Sequence, residues 1–231
     1  MKNIVLSAAA VFAMSSFAVA GGDIAPIEEP IVEVPEVVVT DSGFYLGLAY
    51  GLLSAEIDGE YVQYQGDFNE QGYSAEVDYD TIMLQAGYKF NSYVTVEGRY
   101  WGNFSDGDAS GSYTTGNGDS VTFTGPEVDG FDVAAWGIYV KPMYPVTEAF
   151  DIYALLGYGA VVVSDAYEDV FDEDGFQWGL GAAYNFNDNV SIFVDYVKLY
   201  DDDNNYDNGT FDEVNEDTTV DTVNIGVAYK F

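Results

Sequence analysis

The ionisable side chains of this chain are almost all carboxylates. Forty Asp and Glu residues stand against six Lys and Arg, giving a formal charge of −34 over 231 residues. No His and no Cys occurs, which excludes the commonest general base, thiol nucleophiles, disulfides and thiolate metal sites. Paired carboxylates can hydrolyse glycosides, but that chemistry needs a concave pocket. We therefore predict no catalytic residues, no cofactor and no enzymatic activity. Without a basic patch, a nucleic-acid partner is also excluded.

The few basic residues point to a different kind of site. Apart from Lys2, each lies in a segment whose side chains alternate in polarity. Six charged residues share the parity predicted to face the inside of a barrel: Lys89, Glu97, Arg99, Lys141, Asp195 and Lys230. Glu97, Arg99 and Asp195 are expected at similar heights. Buried charges must be paired, because desolvation costs several kcal/mol per ion. The set predicts either a structural ion-pair network or a gated path for small ions.

The remaining acids concentrate in four segments that contain no Lys or Arg. The segments 54–80, 105–132, 164–175 and 201–221 hold 29 of the 40 acids. Carboxylate oxygens are the ligands that hard divalent cations prefer. The spacing matches no defined calcium loop, so we predict diffuse attraction of divalent cations to the loops and no metal site.

The elements that position these side chains are predicted to be strands. After the first twenty residues, no run of 18 or more apolar residues occurs, which excludes a helical membrane protein. Apolar and small or polar residues alternate with period two in eight segments. The large apolar residues of these segments include Phe44, Leu46, Leu48, Ile82, Leu84, Val94, Val96, Trp136, Ile138, Ile152, Leu156, Trp178, Leu180, Ile192, Val194, Val223, Ile225 and Val227.

The connections between the eight segments alternate in length. Short ones follow strands two, four and six, at 91–92, 145–148 and 187–189, and the four acidic segments form the long ones. Short turns at one end and long loops at the other are typical of an outer-membrane barrel with periplasmic turns and external loops. A hairpin around Ser120 to Thr124 remains an alternative for the second long connection.

The sizes of the two faces predict which one meets lipid. One face is bulky and apolar, and the other is mostly Gly, Ala, Ser, Asn and Gln with a few charges. Eight strands leave an interior only just wide enough for side chains, so the bulky face is expected outside. Lys198 is the charged exception on that face and is predicted to reach the outer rim. A soluble lipocalin-like barrel would need the opposite arrangement.

The first 41 residues are predicted to lie outside the barrel. Residues 1–20 have a short positive start, an apolar stretch and the small residues Ala18 and Ala20, which is the pattern of a secretory signal peptide cleaved near Ala20. Residues 21–41 carry three Pro, six acids and no base, and are predicted to be a semi-extended leader. The barrel domain is predicted to span 42–231.

The segment 43–231 resembles the small eight-stranded outer-membrane barrels of the OmpA/OmpX type. The resemblance is carried by Val94 to Tyr100 and, above all, by Val223 to Phe231, with Val227, Tyr229 and the aromatic terminus Phe231 on one face. It implies an all-β, up-and-down transmembrane barrel in a Gram-negative outer membrane. It also implies that the barrel-insertion machinery reads Phe231 and Tyr229. No peptidoglycan-binding domain follows the barrel, so a cell-wall tether is not implied.

Three functions of different classes follow from this interpretation. The leading hypothesis is a monomeric, non-enzymatic barrel in contact with outer-membrane lipid, with a structural role in the envelope and surface contacts through its acidic loops. The second hypothesis is a small porin or ion channel. The third is an adhesin or ligand-binding surface protein.

Overall fold

The computed structural model describes residues 42–63, 69–114, 119–128, 132–164, 169–206 and 213–231. The predicted signal peptide (1–20) and leader (21–41) lie outside these ranges. No helix long and apolar enough to cross a membrane is present in the described residues. Their elements are ten strands, numbered in chain order: β1 (Gly43–Gln63), β2 (Asn69–Asn91), β3 (Val94–Asn103), β4 (Gly107–Thr114), β5 (Ser120–Val128), β6 (Asp132–Pro145), β7 (Phe150–Ser164), β8 (Asp169–Asn185), β9 (Val190–Tyr206) and β10 (Glu213–Lys230).

Eight of these strands close into an antiparallel barrel, which confirms the predicted fold. Their order around the ring is β1-β10-β9-β8-β7-β6-β3-β2, and β2 pairs with β1 to close it. The first and last strands meet directly, from Tyr45 opposite Lys230 onward. Closure leaves no edge at the level of the ring, since every strand there has two neighbours.

The other two strands form the hairpin that the sequence left as an alternative. β4 and β5 pair with each other, and β4 pairs with the outer half of β2, from Tyr73 opposite Tyr113 to Asp78 opposite Asp108. That half of β2 is free to accept a partner because its pairing with β3 ends at Thr81 opposite Asn103. The hairpin therefore extends the sheet beside the ring without entering it.

The connections predicted as long loops are shorter in the structure, because the strands continue into them. β1 and β2 stay paired from Gly43 opposite Lys89 to Gln63 opposite Asn69. The alternation of polarity fades beyond about Leu53, where both faces of the sheet are polar, but backbone pairing and β-propensity persist there. We use the term exterior extension for the parts of the strands that lie at the end of the barrel away from the short turns.

The bulky face points outward, as predicted. Phe44, Ile138 and Ile225 are each more than 60% exposed, although all are large and apolar. Neighbouring rings make edge-to-face contacts near the short turns and the C-terminus, with centroid distances of 4.8 Å for Phe44–Tyr88, 5.2 Å for Tyr184–Phe186 and 5.1 Å for Tyr229–Phe231. Such a band of rings is expected where a barrel crosses a membrane interface.

Candidate functional site in the barrel lumen

The centre of the barrel holds a buried guanidinium between two carboxylates. Arg99 Nε lies 2.7 Å from Glu97 Oε1, and Arg99 Nη2 lies 2.9 Å from Asp195 Oδ2. All three side chains are 0% exposed. Glu97 and Arg99 are two residues apart on β3, so the pleat places both on the inner face. Asp195 comes from β9, which lies diametrically opposite β3 in the ring.

Lys141 on β6 completes a set of four charges that we call the lumen network: Glu97, Arg99, Lys141 and Asp195. Lys141 Nζ lies 3.2 Å from Glu97 Oε2. It also lies 3.9 Å from the ring centroid of Tyr153, a distance at which a cation is attracted to the ring face. Two positive and two negative groups cancel, which is what burial of charge in a narrow interior requires.

Neutral side chains donate further hydrogen bonds to the two carboxylates. Tyr45 donates its hydroxyl to Glu97. Asp195 accepts from Tyr153 Oη at 2.8 Å and from Asn224 Nδ2 at 2.9 Å, and Asn224 in turn accepts from Trp101 Nε1 at 2.9 Å. The sequence did not identify these four partners as functional. Their inward parity was the available signal, but parity alone does not distinguish a hydrogen-bond partner from a space filler.

Lys89 and Lys230, the other two predicted members, lie apart from the lumen network at the short-turn end of the barrel. Both are only partly buried, and both line a cavity of about 570 Å³ together with Lys141, Asp151 and Asn185. Neither lysine is without a partner. The cavity opens at the end predicted to be periplasmic and stops at the lumen network.

Beyond the lumen network, toward the exterior extension, the lumen is filled by an apolar layer. Trp101, Tyr139 and Val197 each stand two residues further from the short turns than Arg99, Lys141 and Asp195 on the same strands. They pack with other buried apolar side chains into one cluster that includes Leu53, Met83, Leu155, Val161 and Leu199. All eight are at most 1% exposed. The layer leaves the lumen closed on the outer side of the charges.

The prediction of a mostly small and polar inner face was wrong for these large side chains. Glycines on the inner face provide space for large inward-facing side chains, as at Tyr45 and Tyr153. A Cβ on Gly87 would stand 2.6 Å from Cζ of the Tyr45 ring, and one on Gly181 would stand 2.6 Å from Cε2 of the Tyr153 ring. Large and small residues thus alternate around the ring, and the bulky residues fit because their neighbours carry no side chain.

The C-terminal residues are placed on the outer face. Val227, Tyr229 and Phe231 are about half exposed or more, and Phe231 donates its backbone N–H to Phe44 O at 2.9 Å. The last residue of the chain thus joins the first strand. Lys198 also lies on this outward side, 3.6 Å from Asp201.

A closed eight-stranded barrel with an apolar exterior and a charged, filled interior defines a small integral membrane barrel. The family model described as "Outer membrane protein beta-barrel domain" matches residues 4–231. The chain therefore belongs to the outer-membrane protein β-barrel family and resides in the outer membrane.

Comparison with solved structures finds the same fold in OprG and more distant likenesses in two other outer-membrane proteins. OprG from Pseudomonas aeruginosa is 14% identical, with a TM-score of 0.51, over 82% of this chain and 96% of that one. Ail of Yersinia pestis is 16% identical over 80% and 98% of the two chains, with a TM-score of 0.38. The protease OmpT from Escherichia coli is 13% identical over 82% and 97%, also with a TM-score of 0.38. No curated protein matches. At 14% identity the likeness to OprG extends to the fold alone.

Proposed function

We propose that this protein is a sealed, non-enzymatic outer-membrane barrel that stabilises the envelope and makes surface contacts through its exterior extension. The observation that supports sealing is the Arg99–Asp195 pair, which crosses the lumen at 2.9 Å with the apolar layer directly beyond it. Two successive barriers of different chemistry would have to open before an ion could pass.

Two features support the absence of catalysis. The chain has no His and no Cys, so the usual Ser–His and Cys–His pairs of nucleophile and base cannot form. Glu97 and Asp195 are neutralised by ion pairs, and their side chains have no exposed surface. In the part of the chain that the structure describes, no group of three or more acidic residues could hold a metal ion.

The surface-contact role is supported by where the charge lies. The segments that form the exterior extension and its tips contain 29 acids and no base. Asp58, Asp217 and Asp203 stand opposite one another on three adjacent strands, β1, β10 and β9. Such rows create a strongly negative surface, which favours cationic partners and repels anionic ones.

A second candidate, a narrow ion or water path, is favoured by three polar atoms. Gln85 Oε1, Arg99 Nη1 and Gln177 Nε2 are buried without a hydrogen-bond partner among the described residues. Buried polar groups are normally satisfied by protein or by water. Gln85 and Arg99 face each other on β2 and β3, so an opening of the barrel would begin there.

Single-channel recording in planar lipid bilayers separates the two candidates. The full chain is reconstituted beside a 16-stranded porin as positive control, in symmetrical salt. We expect no conductance steps from this protein, since both the lumen network and the apolar layer block the lumen. Regular, reproducible steps from the unmodified protein would overturn the sealed-barrel proposal and establish the channel.

A further inference from the structure

The barrel wall divides on the exterior side between β8 and β9. The two strands pair from Asn185 opposite Ser191 only as far as Trp178 opposite Lys198. Yet β8 stays paired with β7 out to Asp169, and β9 stays paired with β10 out to Tyr206. Beyond Trp178 and Lys198, the facing edges of β8 and β9 have no strand partner within the described chain. We call this gap the β8–β9 slot.

Two runs of acidic residues flank the point where the β8–β9 ladder stops. Past the last pair, β8 carries Asp172, Glu173 and Asp174, and β9 carries Asp201, Asp202 and Asp203. All six side chains are exposed. Continued pairing would set these runs of like charge directly against each other, which is destabilising in antiparallel sheets.

A bulge reinforces the separation. The register between β10 and β9 shifts at Val220/Asp221, which face Tyr200 and Lys198 and leave Leu199 without an opposite residue. An extra residue of this kind bends the strand and increases its twist. β9 is therefore irregular beside the slot, whereas β8 keeps an unbroken register with β7 from Asp172 to Phe176.

Apolar side chains close the inner side of the β8–β9 slot. The rings of Phe171 and Tyr200 meet edge to face with centroids 5.4 Å apart, and Leu199 is buried in the same apolar cluster. The slot thus combines an unpaired strand edge, two acidic rims and, on its inner side, the contact between Phe171 and Tyr200.

We propose that the β8–β9 slot binds an extended, cationic peptide segment of a partner protein. The segment adds as a strand to the edge of β8 at Asp172–Phe176, so its backbone hydrogen bonds supply affinity. Its Lys or Arg side chains meet the acids of both rims, and its apolar side chains pack on Phe171 and Tyr200. This inference rests on the surface-contact role proposed above and names the partner for it.

Charge disfavours two occupants that the chain itself could provide. A second copy carries the same formal charge of −34, and the segments around its tips contain no base. The leader at 21–41 has six acids and no base, so it would be repelled by both rims. A basic partner strand would instead be attracted to the acids of both rims.

The test closes the slot with a disulfide, which is unambiguous in a chain without Cys. In the double variant Asp174→Cys/Asp203→Cys, the disulfide holds the two rims with their Cα atoms within about 7 Å of each other, which leaves no room for a strand between them. The matched control, Asp58→Cys/Asp217→Cys, removes two acids from strands that are already paired. Binding of a fluorescent peptide of alternating Lys and Val to the full refolded chain is measured by anisotropy. We expect binding by the unmodified protein and the control, about tenfold weaker binding by the oxidised slot variant, and recovery on reduction.

A second peptide and a second variant keep the outcome decisive. The same peptide with alternate backbone nitrogens methylated has equal charge but cannot pair as a strand, so it should bind poorly. If the slot disulfide fails to form, Asp201→Asn/Asp202→Asn/Asp203→Asn replaces it, with Glu56→Gln/Asp58→Asn/Glu76→Gln as its control.

Two results would overturn the slot assignment. Equal binding by the slot variants and their controls, or by the methylated peptide, would show that the whole acidic surface attracts cations. The surface-contact proposal would then stand without the slot. If neither peptide bound the unmodified protein, both the slot and a cationic partner would be refuted, while the bilayer recordings would still decide on sealing.

Discussion

Arg99 on β3 reaches Asp195 on β9 across the full width of the barrel, with 2.9 Å between Nη2 and Oδ2. The two residues are 96 positions apart in the chain and four strands apart in the ring of eight. The pair therefore ties opposite walls together, and Glu97 and Lys141 complete a lumen network without net charge.

Replacing Arg99 by Ala should destabilise the barrel strongly. Glu97 and Asp195 would both lose their guanidinium partner, and one buried carboxylate left unpaired costs about 3–5 kcal/mol. Unfolding in urea, in lipid vesicles, measures the change. Lys198→Ala is the control, because it removes a base that lies at the rim beside a largely exposed Asp201, and it should change stability by no more than about 0.5 kcal/mol. A neutral Arg99→Ala would indicate a hydrated lumen and favour the channel.

A methyl group added at Gly87 should disturb the lumen network through Tyr45, although Gly87 is not a member of the network. The added Cβ would stand 2.6 Å from Cζ of Tyr45, the residue that donates to Glu97, so the ring must move. We expect Gly87→Ala to lower the free energy of unfolding by about 1–3 kcal/mol. Gly98→Ala is the matched control, since its new Cβ would have no neighbour closer than 3.9 Å. Similar values for the two variants would argue against tight packing around Tyr45.

Deletion of Phe231 should impair assembly in the cell more than stability. Burying one such ring contributes only about 1.5–3 kcal/mol, whereas the resemblance to insertion signals assigns Phe231, Tyr229 and Val227 a role in delivery. We expect the deletion variant to accumulate unassembled or to be degraded in cells, yet to refold in detergent. Cell fractionation and unboiled electrophoresis report the two steps.

Phe44→Ala is the control for Phe231. It removes a similarly exposed ring at the same end of the barrel without changing the terminus. Normal insertion of the deletion variant would refute the signal role. Failure both in cells and in detergent would make Phe231 a structural residue.

Mild acidification should stabilise the exterior extension. Desolvation, and next to it the negative charges of Asp203 and Asp201, raise the pKa of Asp217. The pKa of Glu56 is raised in the same way, by desolvation and by the nearby Asp58 and Glu76. A carboxyl with a raised pKa in the folded state binds more protons folded than unfolded, so stability falls as pH rises from its ordinary pKa through the raised one.

Hydrogen exchange of the β1 and β10 amides, corrected for intrinsic rates, measures this effect. Protection should rise as the pH is lowered from neutrality toward the ordinary carboxyl range. The double variant Glu56→Gln/Asp217→Asn should show a flatter dependence. Protection that instead decreased on mild acidification would mean that these carboxyls bind fewer protons in the folded state, contrary to the expectation.

The local pattern of the sequence was sufficient to predict the barrel. Period-two alternation requires only that each strand has one face in lipid and one inside, so Phe44, Ile138 and Ile225 could be assigned outward from their immediate neighbours. The short turns could be located in the same way. The alternation of polarity is lost where both faces of the sheet are polar. The sequence therefore predicts loops past Leu53, where the strands in fact continue. For the same reason the β4–β5 hairpin was only an alternative.

The tertiary structure decided which inward residues meet. Parity placed Lys89, Lys141, Lys230 and Arg99 on one face, but only closure of the ring brings Arg99 to Asp195 and leaves Lys89 and Lys230 at the mouth. Parity likewise gave no sign that Tyr45 and Tyr153 fit inside, because the space they fill belongs to glycines on neighbouring strands. Partners across a closed barrel are set by strand order, stagger and the volumes of distant residues, and none of these is written in the local spacing of a single strand.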